Sequence, residues 1–143
     1  AVSFNLSHSA DVAALAISRD TRVGVDVEDI REIRSDEIER ALSIAERLEL
    51  AEAADALQLE TFFRFWTLKE AFMKGTGLGA SLPLHDFDVS PAGPGLLRLK
   101  SAPTEPGRWR FDEFVPKPGI RAALAARTDD RDLVVQWRWA DFE

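Results

Sequence analysis

"GVDVED", residues 24–29, alternates polar with apolar residues and follows another valine at position 23. A period of two is typical of a β-strand, in which residues two apart share one face. One face of this strand consists of valines and can pack into a core. The other face carries Asp26 and Glu28 behind Gly24, although like charges at this spacing repel and acidic residues are poor strand formers. A group that offsets the repulsion is therefore expected on that side.

Two helices are predicted after this strand. Asp36 and Glu39 have the spacing of a capping box, which predicts a helix that runs to about residue 56. The aromatic stretch "TFFRFWTLKEAFMK", residues 61–74, predicts a second helix, which Gly75 ends.

The remaining elements are predicted to be strands, because short apolar runs alternate with turn residues. Before the helices, strands are predicted at residues 12–18 and 21–28, with a tight turn at Arg19-Asp20 between them. After them, strands flank the turn "PAGPG", a hairpin crosses Lys117-Pro118-Gly119 and a last strand follows, at 86–90, 96–100, 109–115, 120–127 and 133–139. Short connections favour antiparallel pairing. The order predicts an α+β fold, with an antiparallel sheet packed against two helices.

Composition limits the function classes. A chain of 143 residues is expected to form one domain, residues 1–143. The net charge of −7 argues against a general nucleic-acid-binding protein. The absence of cysteine excludes disulfides, thiolate metal sites and a cysteine nucleophile, and it fits a reducing cytosol. The apolar runs are too short to span a bilayer, so we expect a cytoplasmic protein without a membrane partner.

Three acids and two lysines form the first constellation of interest. Glu70 lies on the aromatic helix, on the same face as residues four positions before and after it, and a carboxylate on such a helix is costly unless it is paired or bound to a metal. Each feature has a plain alternative: a surface pair of Glu70 with Lys74, and a solvated edge for Asp26 and Glu28. Taken together, the three acids suit Mg²⁺ or Mn²⁺, and Lys69 and Lys74 suit a phosphorylated ligand. A divalent ion would also remove the repulsion on the strand.

The stretch "FNLSHS", residues 4–9, is the second constellation. It contains His8, one of two histidines in the chain, between Ser7 and Ser9. Small hydroxyls around an imidazole are able to hold a phosphate oxygen. The alternative is a capped turn that leads into the strand at residue 12.

These motifs together resemble the 4′-phosphopantetheinyl transferases of the Sfp type. "FNLSHS", "GVDVE", "FWTLKEAFMKGTGLG" and "SLPLHDF" occur in the order and rough spacing of that family, over roughly residues 4 to 90. The resemblance implies an enzyme that transfers 4′-phosphopantetheine from coenzyme A to a serine of an apo carrier protein and releases adenosine 3′,5′-bisphosphate. The carrier would serve fatty-acid, polyketide or non-ribosomal peptide synthesis.

The resemblance also implies roles for the acids. Asp26, Glu28 and Glu70 match the family's metal-binding residues, with Mg²⁺ as the expected ion and Mn²⁺ as the other choice. Glu70 also matches the base that takes a proton from the carrier serine, and Lys74 is the second expected catalytic residue.

Contacts with the substrate are implied in the same way. Lys69 and Lys74 match lysines that face the phosphates of coenzyme A. Ser7 and His8 match a pair that contacts phosphate, and Trp66 matches an aromatic residue that shapes the site.

Family members of this type usually carry another half ahead of "FNLSHS", related by pseudo-twofold symmetry. The chain is thus expected to be the C-terminal half of such a pseudo-twofold dimer, with the upstream half absent, lost or supplied by a partner chain. Two alternatives remain open at this point. One is a Mg²⁺-dependent hydrolase of a nucleotide or pyrophosphate that uses the same acids and lysines. The other is an incomplete, non-catalytic fragment.

Overall fold

The strand predicted from "GVDVED" forms as β3 (Val23–Asp29) at the edge of a three-stranded antiparallel sheet. In this sheet β7 (Ile120–Arg127) is central and pairs with both β3 and β6 (Trp109–Lys117). The β6–β7 hairpin turns at residues 118–119, as the sequence predicts. The structure is a computed structural model that describes residues 1–81, 83–93, 96–99, 109–128 and 133–141.

The other elements complete an α+β architecture. Two further antiparallel pairs are β1 (Val2–Ser9) with β2 (Val12–Arg19), and β4 (Val89–Gly93) with β5 (Leu96–Leu99). The helices are α1 (Ser35–Ala41), α2 (Ile44–Glu52) and α3 (Gln58–Thr76), and short 3-10 turns lie at Asp55–Leu57, Gly79–Ser81 and Leu84–Asp86. The predicted fold class is confirmed. Lys100 and part of the predicted "PAGPG" turn lie outside the described residues.

α3 packs against the three-stranded sheet at very short range. A Cβ atom added to Gly24 would lie 2.0 Å from the carbonyl oxygen of Ala71 and 2.4 Å from the amide nitrogen of Gly75. Only glycine permits this contact, because any side chain would push the helix backbone away from the strand. The contact brings the helix face next to the acids of β3. It also explains why a glycine precedes them in the sequence.

The sheet is covered on both faces. On the helix side, a large core joins aromatic residues of α3 to the sheet, including Phe72, Trp109 and Phe111. On the other side, β2 and the segment 133–141 cover the valines of β3. The valine face is therefore buried as predicted, and the face with the acids lies against α3.

β1 joins β3 through side chains. Alternate N–H groups along β3 donate to side-chain oxygens of alternate β1 residues: Val25 to Asn5 (2.9 Å), Val27 to Ser7 (3.1 Å) and Asp29 to Ser9 (3.1 Å). These groups would otherwise be unpaired at the edge of the sheet, and buried N–H groups need an acceptor. "FNLSHS" is thus part of a strand, and the alternative of a capped turn is wrong.

Both helix predictions needed correction. The predicted helix from Asp36 is two helices, because Ser43 caps a new one: its side chain accepts from the backbone N–H of Glu46, and Glu46 accepts from the N–H of Ser43. This capping box stops α1 at Ala41. At the other boundary, α3 continues through residue 75 and ends at Gly77, which has a positive φ of 73°.

Two of the predicted strands also differ from the strands in the structure. The strand expected at 86–90 begins only at Val89, because residues 84–86 form a 3-10 turn. Residues 133–139 form no strand. That segment is held by side chains, since the ring of Trp137 stacks on Phe114 with centroids 4.9 Å apart and its indole N–H donates to Asp112.

Candidate active site

α3 and β3 face each other across the predicted acids. The indole N–H of Trp66 donates to Oε1 of Glu28 at 3.1 Å, and Nζ of Lys74 donates to Oδ1 of Asp26 at 2.9 Å. Glu70 lies midway between the two donors on α3, one turn from each. The structure therefore brings together five of the residues predicted from the sequence.

Asp26 lies in an environment that disfavours its charged form. Its side chain is buried, and within the part of the chain that the structure describes Oδ2 has no hydrogen-bond partner. Burial, followed by the charge of Glu28, raises the pKa of Asp26 from 3.8 to about 8; Lys74 lowers it and Glu70 raises it further. The site thus contains a carboxylate that is poorly compensated by the protein alone.

The surroundings of Glu70 favour its protonated form more than water does. Burial raises the pKa of Glu70, Lys74 lowers it and Glu28 raises it. A raised pKa makes the carboxylate a stronger base than one in water. Glu70 lies opposite Asp26 and Glu28 because the helix repeat puts it on the same face as Trp66 and Lys74.

The three acids offer oxygen atoms of the kind that a divalent cation requires. Carboxylate oxygens are the ligands that Mg²⁺ prefers, and the buried Oδ2 of Asp26 is an acceptor without a donor. The chemistry of Asp26, Glu28 and Glu70 therefore fits the ion. Among the described residues, no three acidic or histidine side chains stand in an arrangement that holds one metal. Binding by all three acids would require their side chains to move.

Lys69 does not lie with the other predicted residues. Its side chain is fully buried, and Nζ donates to Oε1 of Glu46 at 2.5 Å and to the carbonyl oxygen of Phe87 at 2.7 Å. Burial lowers the pKa of Lys69, and Glu46 opposes this effect. The predicted contact with phosphates is not available from this position. The physical reason is the helix repeat. Lys69 precedes Glu70 by one residue, so the two side chains leave the helix about 100° apart around its axis.

The "SHS" residues point to opposite sides of β1. Ser7 is buried, accepts from β3 and donates to Oδ1 of Asp26 at 3.4 Å, so its hydroxyl is already engaged. His8 is exposed and lies on the outer face. The structure does not bring His8 to the acids. Period-two alternation along β1 separates the two side chains that the sequence places next to each other.

Glu46 is a residue that the sequence analysis missed. One oxygen accepts from Lys69 and from the N–H of Ser43, and the other accepts from the N–H of Val89 at 3.0 Å. It thus joins α2, α3 and the start of β4. The sequence held a signal for its partner: Phe62, Phe65, Lys69 and Phe72 follow helical spacing on one face, and the three aromatic residues are buried.

The sequence is similar to those of known proteins. Residues 22–129 match the family model of the 4′-phosphopantetheinyl transferase superfamily. The chain is similar to the 4′-phosphopantetheinyl transferase HetI of Nostoc sp., at 33% identity over 125 residues, which is 85% of this chain and 50% of the relative. It is also similar to the 4′-phosphopantetheinyl transferase psf-1 of Bacillus pumilus, at 41% identity over 98 residues, which is 67% of this chain and 42% of the relative. The chain thus spans half or less of these relatives.

Two solved structures are similar in fold to this chain. A holo-(acyl-carrier-protein) synthase from Bacillus anthracis, in complex with CoA (3′,5′-ADP), superposes with a TM-score of 0.62 at 18% identity, over 73% of this chain and 93% of that one. The corresponding synthase from Neisseria meningitidis gives a TM-score of 0.60 at 14% identity, over 75% and 97% of the two chains. At such identities the likeness establishes the α+β architecture and nothing about substrates. No helix in the described residues is long and apolar enough to cross a membrane.

Proposed function

The chain belongs to the 4′-phosphopantetheinyl transferase superfamily, and from this premise we propose that it transfers 4′-phosphopantetheine from coenzyme A to a serine of an apo carrier protein. The other product is adenosine 3′,5′-bisphosphate. The observation that carries the proposal is the pair of acids on β3 facing Glu70 and Lys74 on α3. The cytoplasmic location expected from the cysteine-free sequence is part of the same proposal.

In the proposed site, Asp26, Glu28 and Glu70 hold Mg²⁺ or Mn²⁺. The ion would offset negative charge on the pyrophosphate of coenzyme A. Lys74 is half-buried and reaches Asp26 from α3, so its ammonium group is placed to add a second positive charge beside the phosphates. Phosphoryl transfer depends mainly on positioning and on neutralising charge, which these residues supply.

Glu70 is the proposed base. It takes the proton of the carrier serine as the serine oxygen forms a bond to the phosphorus that carries pantetheine. The bond from that phosphorus to the bridging oxygen breaks, and its electron pair leaves with the bisphosphate. A carboxylate whose pKa is raised accepts this proton more readily than an ordinary glutamate.

We further propose that residues 1–143 form one domain, equivalent to the C-terminal half of the longer relatives. Support comes from the lengths, because the chain spans about half of the curated relatives it matches. The position of His8 is consistent with this idea. It shares the outer face of the β1–β2 hairpin with exposed apolar side chains such as Phe4 and Leu6, and an imidazole there meets phosphate only if another chain segment or a second copy covers that face.

The experiment is incubation of the chain with coenzyme A, Mg²⁺ and a panel of apo carriers from fatty-acid, polyketide and non-ribosomal peptide synthesis. Transfer adds about 340 Da to the carrier, which mass spectrometry detects. Asp26→Asn serves as the control that keeps the shape of the side chain and removes its charge. Release of bisphosphate without a mass change on any carrier would instead identify a hydrolase. If neither coenzyme A nor apo carrier is consumed, residues 1–143 are inactive alone.

A further inference from the structure

The two acids of β3 are each held by one donor from α3. Lys74 donates to Asp26 and Trp66 donates to Glu28, and these two donors lie eight residues apart on the helix. Glu70 lies between them. The lysine is flexible and charged, whereas the indole is rigid and neutral. The two acids therefore receive different kinds of support.

The Trp66 side chain is fixed by its packing. It is half-buried against the core, and its ring lies 5.5 Å from the ring of Phe62 and 6.4 Å from that of Phe63, centroid to centroid. Aromatic pairs at these distances add to the energy of burial. In this packed position the indole N–H meets Oε1 of Glu28 at 3.1 Å.

An indole has a single donor and no acceptor. It therefore engages one oxygen of Glu28 and leaves the other oxygen outside this bond. A neutral donor also fixes the carboxylate without neutralising it, so the charge remains to attract a cation. A lysine at the same position would compete with the ion for that charge.

We propose that Trp66 is a positioning residue that orients Glu28 for the divalent cation. This inference rests on the metal site in the proposed function. Hydrogen bonds from outside the ligand set hold metal-binding side chains in place, and their loss typically lowers metal affinity or activity by about 10-fold to 100-fold. We expect the indole N–H of Trp66 to contribute an effect of this kind.

Trp109 provides a matched control. It is buried, its ring packs 5.0 Å from that of Phe72, and its indole nitrogen has no hydrogen-bond partner among the described residues. Trp66→Phe and Trp109→Phe therefore remove the same atoms. Both lose packing, and only the first loses a hydrogen bond.

The experiment is a Mg²⁺ titration of the wild type and both variants without coenzyme A. Calorimetry gives the dissociation constant, and the melting temperature reports the stabilisation by Mg²⁺. We expect Trp66→Phe to raise the Mg²⁺ dissociation constant by about 10-fold or more and Trp109→Phe to leave it within about twofold. Equal dissociation constants in all three proteins would overturn the role of Trp66 while leaving the metal site intact. Failure of the wild type to bind Mg²⁺ would overturn the metal site itself and this proposal with it.

Indole N–H resonances give a second measurement that needs no folded Trp66 variant. The four tryptophans give four such signals, and the signal of Trp66 is assigned by elimination with Phe variants of Trp109, Trp137 and Trp139. Mg²⁺ should shift the Trp66 signal and leave that of Trp109 unchanged, and Glu28→Ala should move the Trp66 signal in the absence of metal. A saturating Mg²⁺ titration without a shift at Trp66 would overturn the proposal.

Discussion

Asp26 is a buried carboxylate beside two other acids, and its pKa shows the cost of this placement. Burial and Glu28 raise the pKa of Asp26 to about 8, although Lys74 donates to the carboxylate at 2.9 Å. One ammonium group therefore does not offset the effect of burial together with the charges of the neighbouring acids. In the proposed function, a divalent cation would offset this charge.

Replacement of Asp26 by Asn should stabilise the metal-free protein in a pH-dependent way. The folded pKa of about 8 lies above the ordinary value of 3.8, so the contribution of Asp26 to stability is present below pH 3.8 and is lost as the pH rises toward 8. The gain in melting temperature from Asp26→Asn should thus be small at pH 4 and largest near pH 8. Added Mg²⁺ should raise the melting temperature less in the variant than in the wild type.

Asp11 offers a control of opposite sign. Its hydrogen bond with Lys117 lowers the pKa of this exposed carboxyl, so Asp11→Asn should bring no gain at pH 8. A gain from Asp26→Asn that is the same at pH 4 and pH 8 would contradict the interpretation of Asp26.

Replacement of Lys69 by Met should destabilise the fold and spare substrate binding. The variant leaves the buried carboxylate of Glu46 without its cation, which typically costs about 3–5 kcal/mol. Denaturant unfolding should show this loss, and adding Glu46→Gln to the variant should restore part of it. In protein that remains folded, the KM for coenzyme A should be unchanged. A raised KM with unchanged stability would return Lys69 to the phosphate site.

At the scale of elements, the β1–β2 hairpin meets β3 through side chains that act in place of a backbone ladder. Asn5, Ser7 and Ser9 accept from the edge of β3, and Ser7 also donates to Asp26. This arrangement covers an edge strand, whose free N–H groups are otherwise open to pairing with another chain. It also fixes the register of β1 beside the acids, because the N–H groups of β3 need a polar side chain at every second position of β1.

Removal of one of these hydrogen bonds between β1 and β3 should lower the free energy of unfolding by a measurable amount. Ser9→Ala leaves the half-buried N–H of Asp29 without its acceptor. An unsatisfied donor costs about 1–3 kcal/mol when fully buried, so the expected loss lies at the lower end of that range. Ser18→Ala on β2 is the control, since that exposed hydroxyl donates to the carbonyl of the next residue, Arg19. Chemical denaturation should therefore separate the two variants. Equal unfolding free energies would mean that solvent satisfies the N–H of Asp29.

At the scale of the whole molecule, the outer face of the β1–β2 hairpin is a contiguous apolar surface. Its large side chains are 59–72% exposed, and they are Val2, Phe4, Leu6, Leu15 and Ile17. Antiparallel pairing sets Phe4 opposite Ile17 and Leu6 opposite Leu15. Contiguous patches of this kind are uncommon on monomers and mark surfaces that another polypeptide covers.

We expect the 143-residue chain to self-associate through this face. Phe4→Glu combined with Ile17→Lys places opposite charges across one cross-strand pair, so it should disperse the assembly with little effect on the melting temperature. Ile44→Glu with Leu48→Lys is the control, because these exposed residues lie on α2. Sedimentation should show smaller particles only for the hairpin variant. A wild type that sediments as a monomer would contradict the expectation.

The local patterns of the sequence determined a large part of this protein. Alternation predicted β3 and its valine face, and spacing of four predicted that Trp66, Glu70 and Lys74 share a helix face. The turn at residues 117–119 predicted the hairpin of β6 and β7. These features were accessible because periodicity, helix faces and turns depend on residues close together in the chain. The family also followed from such motifs, because their order and spacing are properties of the sequence.

Tertiary structure alone decided which partner each polar residue has. Lys69 turned inward because Glu46 and the carbonyl of Phe87, 23 and 18 residues away, supply its acceptors. β1 reversed the usual pattern, with polar residues inward and apolar residues outward, because the inward side meets unpaired N–H groups of β3. The common physical reason is that a buried polar group needs a partner, and the partner is fixed only when distant elements come together.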